Sequence, residues 1–341
     1  MTTSSIEIAG QQVPAIGSPE GLTLTTDRYL SLSDLSEFPA QVRVIAGSLH
    51  LHNSSLRSLP SPFTIEGDLD IYSCPDLVLP DHLWVTGDLM LTNSEVRADT
   101  LPAGLVVGGS LFIGDCQFRA LPPDLRVGRS IVAKDSKLEV LPDALTLPGS
   151  LDISGTTISR LPAQLDVGSA LVAAHCPIEE LPAHAKVGES LDIRGTRITR
   201  LPDELALRGD LFLSDTGIAS LPENLHLSSL DITNTPITHL PESTRVQGSL
   251  WANGTQIKRL PAGLVRFDTL ALNGSAIEEL PENLHVQLDL YLADSAIRQL
   301  PARIDVGGTV YLGGTSVPRT CLPKNSRTGK PLDINWDWRP A

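Results

Sequence analysis

The sequence predicts a mainly β repeat solenoid with few or no helices, and three observations carry that expectation. The dipeptide Leu-Pro recurs at 59, 79, 101, 121, 141, 161, 181, 201, 221, 240, 260, 280 and 300, with Phe38-Pro39 in front, a period of about 20 residues. Inside each unit an apolar–polar–apolar alternation, as at Leu151-Asp152-Ile153, has the period of a short strand. Gly and Pro, 27 and 26 residues of 341, punctuate the whole chain and leave no stretch for a long helix.

Each element of the unit follows from local chemistry. A typical unit reads L-P-x-x-L-x-V-x-G-S-L-D-I-x-G-T-x-I-x-x. Stacked units place the Leu-Asp-Ile strands in one parallel sheet, each turn burying its apolar side against the next. The Pro removes a donor and holds the preceding residue extended, so the return path is expected to be extended or polyproline-like, with Leu165 and Val167 pointing inward. Gly155 has Asp115, Asp135, Asp215, Asn234 and Asp294 as equivalents, all types that tolerate a left-handed bend.

The following position holds Ser54, Cys74, Ser94, Cys116, Ser136, Thr156, Cys176, Thr196, Thr216, Thr235, Thr255, Ser275, Ser295 and Thr315. Every member is small and carries a hydroxyl or thiol, which predicts a structural ladder that satisfies buried backbone groups at the turn. Just before each Leu-Pro, Arg119, Glu139, Arg160, Glu179/Glu180 and Arg200 alternate in sign, as do Lys258/Arg259, Glu278/Glu279 and Arg298. These predict weak ion pairs between neighbouring turns. The organisation expected is an N-terminal capping segment at 1–37, a solenoid at 38–317 and a C-terminal cap at 318–341, where Trp336 and Trp338 cover the final repeat.

The totals exclude some functions. Aromatics are 4% and hydrophobics 41%, so the core rests on Leu, Ile, Val and Ala. A net charge of −14 makes a nucleic-acid backbone a poor partner. No run approaches the roughly 18 apolar residues of a membrane span. The start MTTSSIEIAG lacks a basic segment followed by an apolar one, so the expected location is cytoplasmic, or outside the cell by export without a classical signal.

Reactive constellations are scarce, and no cofactor is expected. Cys74, Cys116 and Cys176 lie two or three turns apart; at about 4.8 Å per strand they exceed the roughly 7 Å reach of a disulfide, which predicts reduced structural thiols. Cys321, in CLPKNS, is a lone candidate nucleophile. SRTGKP at 326–331 lacks the upstream Gly and the following Ser/Thr of a phosphate loop, and the sequons at Asn53, Asn253 and Asn273 fall on repeat turns. His50 and His52, with Asp68 and Asp70 one repeat later, form a weak candidate metal set; the competing reading is a solvated polar strip.

The outward strand positions vary most. In the central column Asp152, Val172, Asp192, Phe212, Asp231, Trp251, Ala271, Tyr291 and Tyr311 follow one another, with Asp giving way to aromatics. Phe212, Trp251, Tyr291 and Tyr311 are expected to anchor a protein or peptide partner on a concave face, with Asp152, Asp192 and Asp231 steering a basic segment of it. The alternative is that these rings merely cover side chains on neighbouring strands.

The Leu-Pro, the LxV or LxL strand and the ladder position together resemble the bacterial class of leucine-rich repeats found in type III secreted effectors, such as YopM-like adaptors and the IpaH/SspH ubiquitin ligases. The resemblance spans roughly 38–317 and implies a leucine-rich-repeat horseshoe with a parallel concave sheet. This chain departs from it by using Thr, Ser or Cys where that class has Asn, and Gly before the strand where it has Leu. Neither a helical hairpin before the repeats nor a ligase domain after them is expected. The function expected is that of a non-enzymatic recognition scaffold, with a secreted effector or adaptor as the form the resemblance implies. The alternatives are a substrate-recognition remnant of a ligase effector and a glycan or small-ligand module.

Overall fold

A computed structural model describes residues 2–92, 94, 96, 99–320 and 322–340. The chain divides into two compact units, 1–176 and 177–341. Both are parallel β-solenoids, and no helix occurs among the described residues.

The first unit opens with β1 (Thr2–Ile8), β2 (Gln11–Ser18) and β3 (Gly21–Ser33), an antiparallel meander. Strand β3 then pairs in parallel with β4 (Val42–His52), matching Leu30 to Leu49 and Leu32 to Leu51. The N-terminal segment is therefore regular, and its last strand already stacks as a rung. From β4 onward Leu49, Leu69, Leu89, Leu111, Ile131, Leu151 and Leu171 lie side by side, on β4 and then on rungs of two to four residues. In the second unit the same column runs through Leu191, Leu211, Leu230, Leu250, Leu270, Leu290 and Val310. Ile334 closes it, on a last strand, Asp333–Asn335, supplied by the C-terminal segment. All these column residues but Ile334 are in the core.

The return path is a second parallel ladder rather than polyproline helix. Leu145 and Leu147 pair with Leu165 and Val167 in the first unit, and Leu284 and Val286 with Ile304 and Val306 in the second. Their side chains are buried, as expected for Leu165 and Val167. Extended backbone at equal spacing along a stack is hydrogen-bonded as soon as neighbouring turns align, and polyproline geometry would leave those groups unpaired. The Leu of each Leu-Pro is buried or nearly so. The Pro carbonyl closes the next turn, accepting from Leu125 at 3.1 Å at Pro122 and from Leu264 at 2.9 Å at Pro261.

The bend column is left-handed along both units, with φ of 57° at Asp115, 69° at Gly155, 59° at Asp215 and 57° at Asn234. Ser73 and His175 adopt the same conformation, at 49° and 62°. The hydroxyls beyond the bend act locally. Thr156, Thr196, Thr216, Thr235 and Thr255 each donate to the carbonyl three residues back at 2.7 Å. Two of the cysteines reach one turn back, Cys116 Sγ to Leu91 O at 3.1 Å and Cys176 Sγ to Ile153 O at 3.0 Å, whereas Cys74 Sγ meets Tyr72 O of its own turn at 3.4 Å. Cys74, Cys116 and Cys176 are free and buried. Burial, helped by the charge of Asp115, pushes the Cys116 thiol up to about 11 from an ordinary 9.0.

The side-chain ladder that couples turns lies in another column, immediately before the strand. Ser48 Oγ accepts the Asp68 N–H at 2.9 Å, Asp68 Oδ1 accepts that of Asp88 at 2.8 Å, and Asp88 Oδ1 accepts that of Ser110 at 2.7 Å. Ser130, Ser190 and Asp289 do the same for Ser150, Asp210 and Thr309. Glycines two places before Leu89 and Val310 pack close to this ladder: a Cβ at Gly87 would crowd Asp68 Oδ1 and the Gly67 backbone, and one at Gly308 Asp289 Oδ1 and the Leu288 backbone.

Of the alternating turn-edge charges, Arg119–Glu139 at 2.6 Å and Lys258–Glu278 at 3.0 Å form as expected, whereas Glu179 pairs with Arg197 at 3.7 Å. All six side chains are exposed, so each pair contributes no more than about 1 kcal/mol.

Three outcomes follow from this packing. Thr196→Val deletes one hydroxyl donor from a carbonyl that keeps the Thr196 N–H at 3.2 Å, and is expected to cost about 1 kcal/mol in chemical denaturation. Thr244 occupies the buried return-path Leu column with no partner for its hydroxyl among the described residues, so Thr244→Val is expected to stabilise by about 1 kcal/mol. The raised Cys116 pKa contributes stability that is intact below pH 9.0 and lost as pH rises through about 11; iodoacetamide at pH 8 should leave this thiol unmodified until denaturant is added, as read by mass spectrometry.

Candidate functional site

The outward side chains of the rungs make the candidate surface, and each unit presents its own. In the first unit the central column runs His50, Asp70, Met90, Phe112, Val132, Asp152 and Val172, rung against rung. Asp152 is half-buried, and its Oδ1 accepts the Ser154 N–H at 3.0 Å and the Ser154 hydroxyl at 2.6 Å. Its carboxylate thus braces its own turn.

The metal set does not assemble. His50 lies beside Asp70, but His52 lies beside Tyr72, and Asp68 belongs to the pre-strand ladder. His50 stacks on Tyr29 at 5.1 Å between centroids, and His52 Nε2 meets Ser31 Oγ at 3.2 Å. The reason is the two-residue period of a strand: Asp68 and Asp70 match positions 48 and 50, not 50 and 52. Among the described residues no group of three or more His, Cys, Asp or Glu side chains is placed to hold a metal. Cys321 lies outside the described residues.

The second unit carries the rest of the column. Asp192 is only 7% exposed, and its two oxygens are taken by Arg194, Nε at 2.9 Å and Nη2 at 2.6 Å. The same guanidinium lies over the Phe212 ring, 5.2 Å from its centroid, and its hydrogen bond to Asp192 raises its pKa further. Asp192 and Phe212 are therefore engaged inside the unit by Arg194, which lies in the turn two residues beyond Asp192. That i, i+2 relation was present in the sequence. Asp231 Oδ1 accepts the Thr233 N–H at 3.0 Å.

Trp251 comes next, half-buried, with Asp231 on one side and Ala271 on the other. Ala271 is 4% exposed and is covered by its neighbours. Beyond it Tyr291 and Tyr311 stack face to face, 4.6 Å between centroids and 1° from parallel. The Tyr291 hydroxyl donates to Asp289 Oδ2 at 3.2 Å; burial first, and the Asp289 charge second, raise its pKa and keep it a neutral donor.

Trp338 lies against Tyr311 on the last repeat strand, on the outward side of the rungs. The turn after the last strand, fixed by Asn335 Oδ1 accepting the N–H groups of Asp337 and Trp338 at 3.0 Å, carries the indole onto the outward rings. It sits 4.9 Å from Tyr311 and 5.4 Å from Tyr291. Arg339 pairs with Asp294 at 3.4 Å, and Trp336 takes the guanidinium of Arg319 at 4.8 Å. The end of the core is closed instead by Ile334, because the last strand registers it against Val310.

No family model matches the chain, and no curated protein matches it. Several solved structures are similar. YopM from Yersinia enterocolitica WA-314 shares 20% identity over 90% of this chain and 85% of its own, with a TM-score of 0.45. YopM, a leucine-rich effector protein from Yersinia pestis, shares 18% over 89% and 80%, with a TM-score of 0.42. The Drosophila Toll–Spätzle complex shares 16% over 88% of this chain and 50% of the matched chain, with a TM-score of 0.46. Among the described residues no helix is long and apolar enough to cross a membrane. The in-register rungs and the Leu-Pro period make the fold of each unit a parallel β-solenoid of leucine-rich-repeat type.

Proposed function

We propose that the protein is a non-enzymatic recognition scaffold whose outward rungs in the unit 177–341 grip a protein or peptide partner through a basic segment. The run Asp231, Trp251, Ala271, Tyr291 on four successive rungs carries this reading. Ala271, itself covered, puts only a methyl group between two half-buried aromatic side chains whose strands stand about 10 Å apart, two strand spacings, so a partner's side chain would part the rings to enter. One flat or aliphatic side chain fits between rings so parted. An Arg or Lys entering there meets aromatic faces on two sides and the Asp231 carboxylate at the end, with cation–π attraction of about 1 kcal/mol per contact.

Trp251 and Tyr291 thus become the anchors. Tyr311 supports Tyr291 from behind through the stack, and Asp231 supplies the charge. Asp152 and Asp192 shape their own turns, and Phe212 backs the Arg194 guanidinium. The form of the function that the resemblance of the repeat implies is an effector or adaptor acting by contact alone.

A peptide array that scans Arg and Lys in varied contexts tests this on the whole chain. Positive spots are expected to weaken about tenfold with the double variant Trp251→Ala/Tyr291→Ala, while its melting temperature stays close to native. An array in which basic residues make no difference, or a double variant that binds as well as the native chain, overturns the reading. Trp338→Ala should leave the Trp251–Tyr291 pair intact and binding unreduced, which separates that pair from the covered end of the aromatic stack.

A further inference from the structure

The segment that follows the last strand is seated on the outward face of the second unit. Asn335 pairs beside Tyr311 in the central column, and the turn fixed by its side chain sends the chain back across the rungs. Two side chains then land next to each other. The Trp338 indole lies tilted against the Tyr291–Tyr311 stack, 4.9 Å from Tyr311 and 5.4 Å from Tyr291, and the Arg339 guanidinium meets the Asp294 carboxylate at 3.4 Å. Between them the backbone comes down onto Gly313, where a Cβ would run into the Trp338 carbonyl. The three rungs before it carry Ala293, Asn273 and Asn253 at that place. The last rung is thus bare of a side chain just where the segment crosses it.

This seat does not close the core, which Ile334 does on the strand before the turn. Trp338 stays 37% exposed, and the ion pair beside it is solvated on both sides. Among the described residues, no backbone hydrogen bond joins residues 336–340 to a repeat. The segment is held on the face by side chains alone.

Ring contacts and a solvated ion pair are chemistry that another chain can supply equally well. The rungs beneath offer such a chain a flat pair of aromatic rings, a carboxylate and a glycine between them, in a protein of net charge −14. A tethered segment competes for its seat at an effective concentration of about millimolar, so it excludes weak ligands and yields to tight ones. We propose that Trp338 and Arg339 occupy a docking site in cis, and that the partner taking it in trans presents an aromatic residue followed directly by Arg or Lys. The proposal rests on the reading of the outward face as the recognition surface, and adds to it a second subsite and the segment that covers it.

Fluorescence polarisation with a labelled synthetic peptide NWDWRP, residues 335–340, tests the exchange on the full chain. Two variants open the seat by different routes. Trp338→Ala/Arg339→Ala removes the side chains that fill it, whereas Gly313→Ala keeps them and lifts the backbone that carries them. Both are expected to bind the peptide at least about tenfold more tightly than the native chain does. A peptide with Ala in place of its second Trp and its Arg should bind neither. Adding Asp294→Asn or Tyr311→Ala to either opened variant should weaken binding about tenfold. Opened variants that bind no better than the native chain, or that bind the substituted peptide equally well, overturn the proposal. Early melting of both by circular dichroism overturns it too, because the segment is then a structural cap; if one alone melts early, the other decides. The basic-residue array scores Trp251 and Tyr291, whereas this titration scores Gly313 and Asp294, so either reading can fail while the other stands.

Discussion

Equal turn length is the constraint on which everything else in these two units depends. A rung of two residues cannot satisfy its own backbone; Leu151 N–H finds Ala170 O at 2.9 Å and Ile153 N–H finds Val172 O at 2.8 Å only because the next turn returns to the same height. The left-handed bend at Gly155 or Asp215, the Leu-Pro corner and the paired return strands all serve that return. Once the heights agree, the core follows from composition. Leu, Ile and Val stack on their own kind turn after turn, and a chain with 4% aromatics needs little else to fill its interior.

Much of this was legible in the sequence, because period, alternation and turn chemistry are local properties. Leu151 and Ile153 had to face inward once the spacing was about 20, and Asp115 or Asn234 had to bend. Relations between turns were harder to see. The column of Thr156 and Thr196 was recognisable as hydroxyl-bearing, but whether such a group bonds within its own turn, as Thr156 does, or to the turn before, as Cys176 does, is set by how the turns pack. The coupling ladder through Ser48, Asp68 and Asp88 was hidden behind a different position of the same repeat.

The candidate site divides along the same line. Which residues point outward could be read from alternation; which of them remain available could not. Asp192 is consumed by Arg194, and the Tyr291–Tyr311 stack carries an indole that enters from nearly thirty residues further along the chain. Trp251 lies half-buried between Asp231 and a covered Ala271. The pairing of Arg339 with Asp294 was missed altogether, since a bend residue and a segment beyond the last strand are brought together only by folding.

The glycine before the strand has a consequence beyond local geometry. A Cβ at position 87 would crowd the side chain at 68 and the backbone at 67, and one at 308 the side chain at 289 and the backbone at 288. The fitness of a residue here is set by its counterpart one period upstream, so substitutions are expected to be inherited in couples separated by a whole repeat. Such a chain lengthens or shortens by copying complete modules far more readily than it accepts a single inserted residue, and its history should be written in duplications.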